Sequence, residues 1–183
     1  ETLVRVWTEI GDCVAAAGVR KLLLFNAHGG QVGLMDIVGR DLRARHDMIV
    51  YHSNWYDLPL ADAAMAPFSP AERRFGVHAG DIETSMMLAI RPAQVDMAQA
   101  RDFPSTSQQR AQDYPILGNG KSARLAWQMQ DYNLQGAAGN AAAATADKGD
   151  ALRASAGTQL ALLLAELSRL PLSTLVDKPA FPH

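Results

Sequence analysis

Two histidines stand in polar, glycine-rich stretches, and each stretch could carry chemistry. His28 lies in Asn26-Ala27-His28-Gly29-Gly30, directly after the apolar run Leu22 to Phe25. A strand followed by such a turn places an imidazole at the carboxyl edge of a sheet, where open α/β proteins build their sites. Gly29 and Gly30 allow backbone geometry and close approach that other residues resist. His78 lies in the second stretch, Gly76-Val77-His78-Ala79-Gly80-Asp81-Ile82-Glu83-Thr84-Ser85. Gly80 or Asp81 opens a helix there, and an acid at a helix start suits the dipole. Glu83 precedes Met87 and Ile90 by four and seven positions, so it continues the edge of an apolar face. Carboxylates at such places are paired, hydrogen-bonded or bound to metal. Two imidazoles and this carboxylate suit a metal or an acid–base site. A structural reading stands beside that one. Glu83 would then be a helix-end carboxylate taking backbone N–H groups, and His78 a loop histidine bonded to a carbonyl.

The elements that must position these residues can be read from periodicity. Leu3, Trp7, Ile10, Val14 and Ala17 recur at spacings of three and four, which marks an amphipathic helix ended by Gly18. The strand at Leu22 to Phe25 follows. A second helix spans Val32 to Arg45, with Val32, Met35, Val38 and Leu42 on one face, and a second strand spans Met48 to His52. Strand, helix, strand with short connections implies a parallel crossover in an α/β layered fold. Residues 53–81 read as a long ordered excursion in which Trp55, Tyr56 and Phe75 are candidate pocket-lining side chains. A third helix runs from Asp81 to Ile90, with Ile82, Met86, Ala89 and Ile90 as its buried stripe, and Pro92 stops it. Arg124 to Asn133 reads as a strand, Gly136 to Asn140 as a turn. From Ala141 to Leu170 the chain reads as a long helix broken near Gly149, and Leu170 to His183 as a tail. One domain over 1–183 is expected, with no repeat or linker.

His46 falls near a helix end and reads as structural. His52 ends the second strand, so it could face the same edge as His28. The chain has 183 residues, 48% apolar and 20% charged, with a net charge of −2. Such a balance does not suggest a nucleic-acid or anionic-membrane partner. Cys13 is the single cysteine, so no internal disulfide or thiolate metal site is available; on the first helix it reads as a small buried apolar residue. No signal peptide or apolar run of about 18 residues is present. A soluble, cytoplasmic protein is expected. No Walker loop, G-x-G-x-x-G or G-x-S-x-G elbow occurs.

The two polar stretches together resemble the creatininase (creatinine amidohydrolase) family. Its middle strand is followed by N-G-H-G-G-N and later by H-A-G-E-x-E-T-S. Here these stand as Asn26-Ala27-His28-Gly29-Gly30-Gln31 and His78-Ala79-Gly80-Asp81-Ile82-Glu83-Thr84-Ser85. A third pattern, G-x-x-G-(D/N)-x-x-x-A-T-x-x-K-G, resembles Gly136 to Gly149. Asp81 for Glu and Gln31 for Asn are mild departures. The resemblance implies a three-layer α/β/α fold with a mostly parallel sheet, two divalent metals per site (zinc or manganese, with iron as a further candidate) and assembly as a homo-hexamer. It implies hydrolysis of a non-peptide C–N bond in a small cyclic amide or formamide by metal-bound hydroxide. By the same resemblance His28 is a metal ligand, and Glu83 is a ligand or sits next to the metals, where it is a candidate catalytic residue. His78 binds substrate or shuttles a proton, and Asn26, Gly29, Gly30, Trp55 and Asp81 are expected to face the substrate. Gly30 stands where creatininase itself has a glutamate ligand, so creatinine is not the expected substrate.

The family's N-terminal metal motif, E-x-H-G-x-H-L-P-x-x-x-D, has no counterpart in this sequence. The chain is therefore expected to be the C-terminal two-thirds of a longer family member, by itself binding metal poorly and not hydrolysing amides. Two rival expectations follow. One is a catalytically inactive scaffold or oligomeric partner. The other is a family member that processes a peptide in cofactor maturation.

Overall fold

The computed structural model describes residues 1–179, and His183 lies outside them. The described residues divide into two compact units, one formed by residues 1–59 and 156–179, the other by residues 60–155.

The first unit opens with helix α1 (Thr2–Ala16), which Ala17 and Gly18 end. Strand β1 (Lys21–Asn26) and strand β2 (Ile49–Asn54) pair in parallel, in register from Lys21↔Ile49 to Asn26↔Asn54. Helix α2 (Val32–His46) crosses between them and is closed by Asp47 in the left-handed conformation. Met35, Val38 and Leu42 of α2 are buried with Met48 and Ile49, and this is the core that seats the crossover. The i, i+3 and i+7 spacing of the three helix residues is the reason that face turns inward. Strand β2 runs two residues past the end expected from its apolar pattern, so Asn54 and not His52 stands at the carboxyl edge. His52 instead approaches Asp36 of α2 at 3.7 Å. Cys13 is exposed rather than buried. On α1 only Gly11 is fully buried, and Cys13 lies on the outer side. Between α1 and α2, Arg45 reaches Asp12 at 2.7 Å and Asp41 at 2.6 Å, and His46 Nε2 lies 2.7 Å from Asp12.

The second unit breaks the excursion after β2 into short helices, α3 (Asp62–Met65) and α4 (Pro70–Phe75). Helix α5 (Asp81–Ile90) follows, then strand β3 (Asp102–Phe103), helix α6 (Thr106–Asp113) and strand β4 (Gly139–Asn140), which pairs antiparallel with β3. Phe68, Ala138, Leu152 and Ser85 are its most buried side chains. Helix α7 (Ala146–Arg169) is continuous through Gly149. That glycine is not a break. A Cβ there would stand 2.5 Å from the carbonyl carbon of Ser85, so its bare backbone lets α7 lie against α5. The buried positions on α5 are Asp81 and Ser85, while Ile90 is exposed, so the stripe read from its apolar residues is corrected. The strand expected over Arg124 to Asn133 is absent too. That segment carries a 3-10 turn at Met129–Asp131, and Asp131 accepts the Gln128 N–H at 2.7 Å. Its alternating Leu125 and Trp127 stay about half exposed, and among the described residues no strand pairs with this segment. Among the described residues no helix is long and apolar enough to cross a membrane.

Candidate active site

At the end of β1 the chain turns sharply, and an amide network holds the turn. Asn26 is buried. Its Nδ2 donates to the His28 carbonyl and to Asn54 Oδ1, both at 2.7 Å. Its Oδ1 accepts the His28 N–H at 3.2 Å and Gln31 Nε2 at 3.1 Å. Asn54 in turn donates to Asp57 Oδ2 at 2.6 Å. The two asparagines are register partners at the last rung of a parallel pair, so their side chains meet where the sheet ends. Asn26 spends its hydrogen-bonding capacity on the loop that carries His28. The His28 ring is exposed, and its Nδ1 accepts the Gly30 N–H at 3.3 Å. An accepting Nδ1 leaves the proton on Nε2. A Cβ on Gly30 would stand 3.0 Å from His28 Cε1, so that glycine makes room for the ring. Gly29 faces the Tyr56 hydroxyl, and Tyr56 packs edge-on against Trp55.

The second stretch is held by the start of α5. Val77 and His78 both donate to the Ala138 carbonyl, at 2.9 and 3.3 Å, and Ala138 N–H returns a bond to the His78 carbonyl at 2.8 Å. Ala79 takes a left-handed φ of 51°, which turns the chain back toward the helix. Glu83 is in the first turn of α5. Its Oε2 accepts the Ala79 N–H at 2.7 Å and lies 3.4 Å from His78 Nδ1. This is the backbone-bonded carboxylate of the structural reading, and it also faces an imidazole. Both side chains are about half exposed, so a molecule in solution can reach them. A carboxylate only accepts, so the facing Glu83 oxygen suits an N–H on His78 Nδ1.

Asp81, by contrast, is 3% exposed. Its Oδ2 accepts Lys148 Nζ at 2.8 Å and its Oδ1 accepts the Ser85 hydroxyl at 3.1 Å. Ser85 Oγ accepts the Thr145 N–H at 3.1 Å, and Lys148 also donates to the Ala143 carbonyl at 2.8 Å. This part-buried ion pair joins α5 to α7. Asn54 and Asp57 belong to no motif of the sequence, and the third family pattern contains Lys148 without naming its partner. Lys148 lies 67 residues from its partner, and Asn54 sits beyond the apolar part of its strand. The one local signal for Asn54 was an asparagine at the equivalent end of each strand.

Whether these residues fit a metal can be judged on the donor set. A catalytic zinc takes about three protein ligands. Among the described residues, no three His, Cys, Asp or Glu side chains gather as such a group. His78 and Glu83 make two, and their facing atoms already contact one another. The described residues alone do not complete a metal site.

Residues 1–164 match the family model for creatininase, described as creatinine amidohydrolase. Among solved structures the chain is similar to a protein of Bacteroides fragilis NCTC 9343 described as a creatinine amidohydrolase. That match has 25% identity and a TM-score of 0.71 over 93% of this chain and 63% of the other. A tryptophan-to-alanine mutant creatininase matches at 21% identity and TM-score 0.68, over 92% and 65%. A creatinine amidohydrolase (creatininase) matches at 22% and 0.66, over 93% and 64%. The chain thus spans a little under two thirds of the length of these structures. No curated protein matches it.

Proposed function

We propose, from the fact that this chain belongs to the creatininase family, that it acts as an amidohydrolase on a non-peptide C–N bond of a small cyclic amide or formamide. The observation that carries the reading is the His78–Glu83 pair, set by the Ala79 turn at the accessible start of α5 within a chain that matches the family model. Glu83 orients the imidazole through Nδ1. The free Nε2 lone pair takes a proton from the attacking water and hands it to the leaving nitrogen as the C–N bond breaks. Water supplies the new C–O bond, so a formamide yields formate and a free amine, and a cyclic amide opens to one molecule that carries both the acid and the amine.

For a divalent metal, the support is the solved creatininases named as Zn-Zn and Mn forms. Each nomination rests on its own motif: in the first unit His28 toward a cation, with Trp55 and the Gly29-Gly30 turn toward substrate, and in the second unit Glu83 toward a cation. The described residues do not by themselves complete a ligand set for it.

The test is amine release from three panels: cyclic amides, formamides and short linear peptides. Turnover in the first two and none in the third is expected. Cleavage of peptides alone would contradict the reading. A second reading, an assembly protein without catalysis, is favoured by one feature: Tyr114, Ile116, Leu117 and Leu134 are 57–90% exposed. Apolar exposure of this kind marks interaction surfaces.

A further inference from the structure

Glu72 is a carboxylate with 5% of its surface exposed, and the chemistry proposed above does not use it. It stands three residues after Ser69 at the start of α4, so Ser-x-x-Glu reads as a capping box, in which the carboxylate turns back to the helix N-cap. Half of that motif is present: Ser69 Oγ accepts the Glu72 N–H at 3.0 Å. The carboxylate, however, leaves its own helix. Oε1 accepts the Ile82 N–H at 3.2 Å and Oε2 accepts the Asn140 N–H at 2.9 Å. Ile82 is the second residue of α5, and its N–H is among those no intrahelical carbonyl can reach. The N-cap, Gly80, brings no side chain to it. Asn140 follows Ala138 by two residues, and Ala138 is the residue that brackets His78.

One carboxylate therefore ties together the two segments that flank the His78–Glu83 turn. Three glycines make room for it. A Cβ on Gly76 would stand 2.7 Å from Glu72 Oε1, one on Gly139 2.7 Å from Oε2, and one on Gly80 would overlap Oε1. An acceptor-only group with two oxygens matches two N–H donors from separate segments, and an amide does not.

We infer that Glu72 is a positioning residue: it fixes the start of α5 against Gly139–Asn140 so that His78 and Glu83 keep their mutual geometry. The consequence for turnover rests on the hydrolase reading; the consequence for His78 does not.

Glu72→Gln in the whole chain tests it, because the change keeps volume and sets an NH₂ against one of the two N–H groups. The expected result is faster hydrogen exchange at the Ile82 or Asn140 amide and displaced imidazole NMR signals of His78. The turnover number should fall about 10–100-fold with KM little changed. Unmoved His78 signals in a folded Glu72→Gln protein would overturn the inference. If that variant does not fold, the wild-type chain decides: a slowly exchanging Ile82 amide supports the tie, and an unprotected one refutes it. If the wild type turns over no small amide, the hydrolase reading fails alone, and the exchange and imidazole signals still judge Glu72.

Discussion

Glu83 illustrates how one side chain can satisfy two readings. It caps the Ala79 N–H, and it faces the His78 imidazole. Removing only its charge separates them. Glu83→Gln can still cap through its carbonyl oxygen, so thermal stability should change by less than about 1 kcal/mol. Orientation of the imidazole should suffer more, and turnover should drop about tenfold or more. Melting temperature and turnover measured on the same preparation check this. Ala79 carries a second residue-scale consequence. Its φ of 51° is unfavourable for a residue with a Cβ. Ala79→Gly should relieve that conformation at the cost of a freer unfolded chain, leaving stability within about 1 kcal/mol of wild type. Denaturant titration measures the difference.

Among the elements, the helices and strands of the first unit were legible because their apolar residues recur at the period of the element they form. Met35, Val38 and Leu42 are the clearest case: of the four residues expected on the inner face of α2 these three are buried, while Val32 at its start is half-buried. The His28 and His78 stretches were also visible as polar, glycine-rich interruptions. What could not be read were pairings across long sequence separations. Lys148 with Asp81 and Glu72 with Asn140 leave no periodic trace in either segment. Arg124 to Asn133 failed for the opposite reason: it alternates like a strand, but among the described residues no strand pairs with it. Glycine is a poor helix former, so Gly149 reads as a helix break, whereas the contact between α7 and α5 selects it. Gly149→Ala should therefore destabilise, by about 1–3 kcal/mol, even though alanine favours helix; thermal unfolding checks the sign. The α1–α2 ion network adds a pH dependence. Asp12 is held below its ordinary value of 3.8 by the Arg45 hydrogen bond first and by His46 second, and Asp41 is lowered by Arg45. A carboxyl depressed in the folded state stabilises above its unfolded value and loses that contribution as pH falls through the folded one. Stability should thus decline below about pH 4, and less steeply in Asp12→Asn, as followed by melting temperature against pH. These groups are open to solvent, so added salt should weaken the effect.

For the whole molecule, the exposed apolar residues of the second unit predict self-association. Light scattering at micromolar concentration should give a mass above the 19.7 kDa of the chain, and a clean monomer would reject the prediction. Family membership and fold say which reactions to try, and the His78–Glu83 pair says which atoms to remove. The most direct test is the turnover number for a small cyclic amide at saturating substrate, compared between the wild type and His78→Ala. If His78 moves the proton, turnover falls about 100-fold or more while the fold is retained, equivalent to about 2.7 kcal/mol of barrier. Turnover within about twofold of wild type in a folded His78→Ala protein would contradict the account.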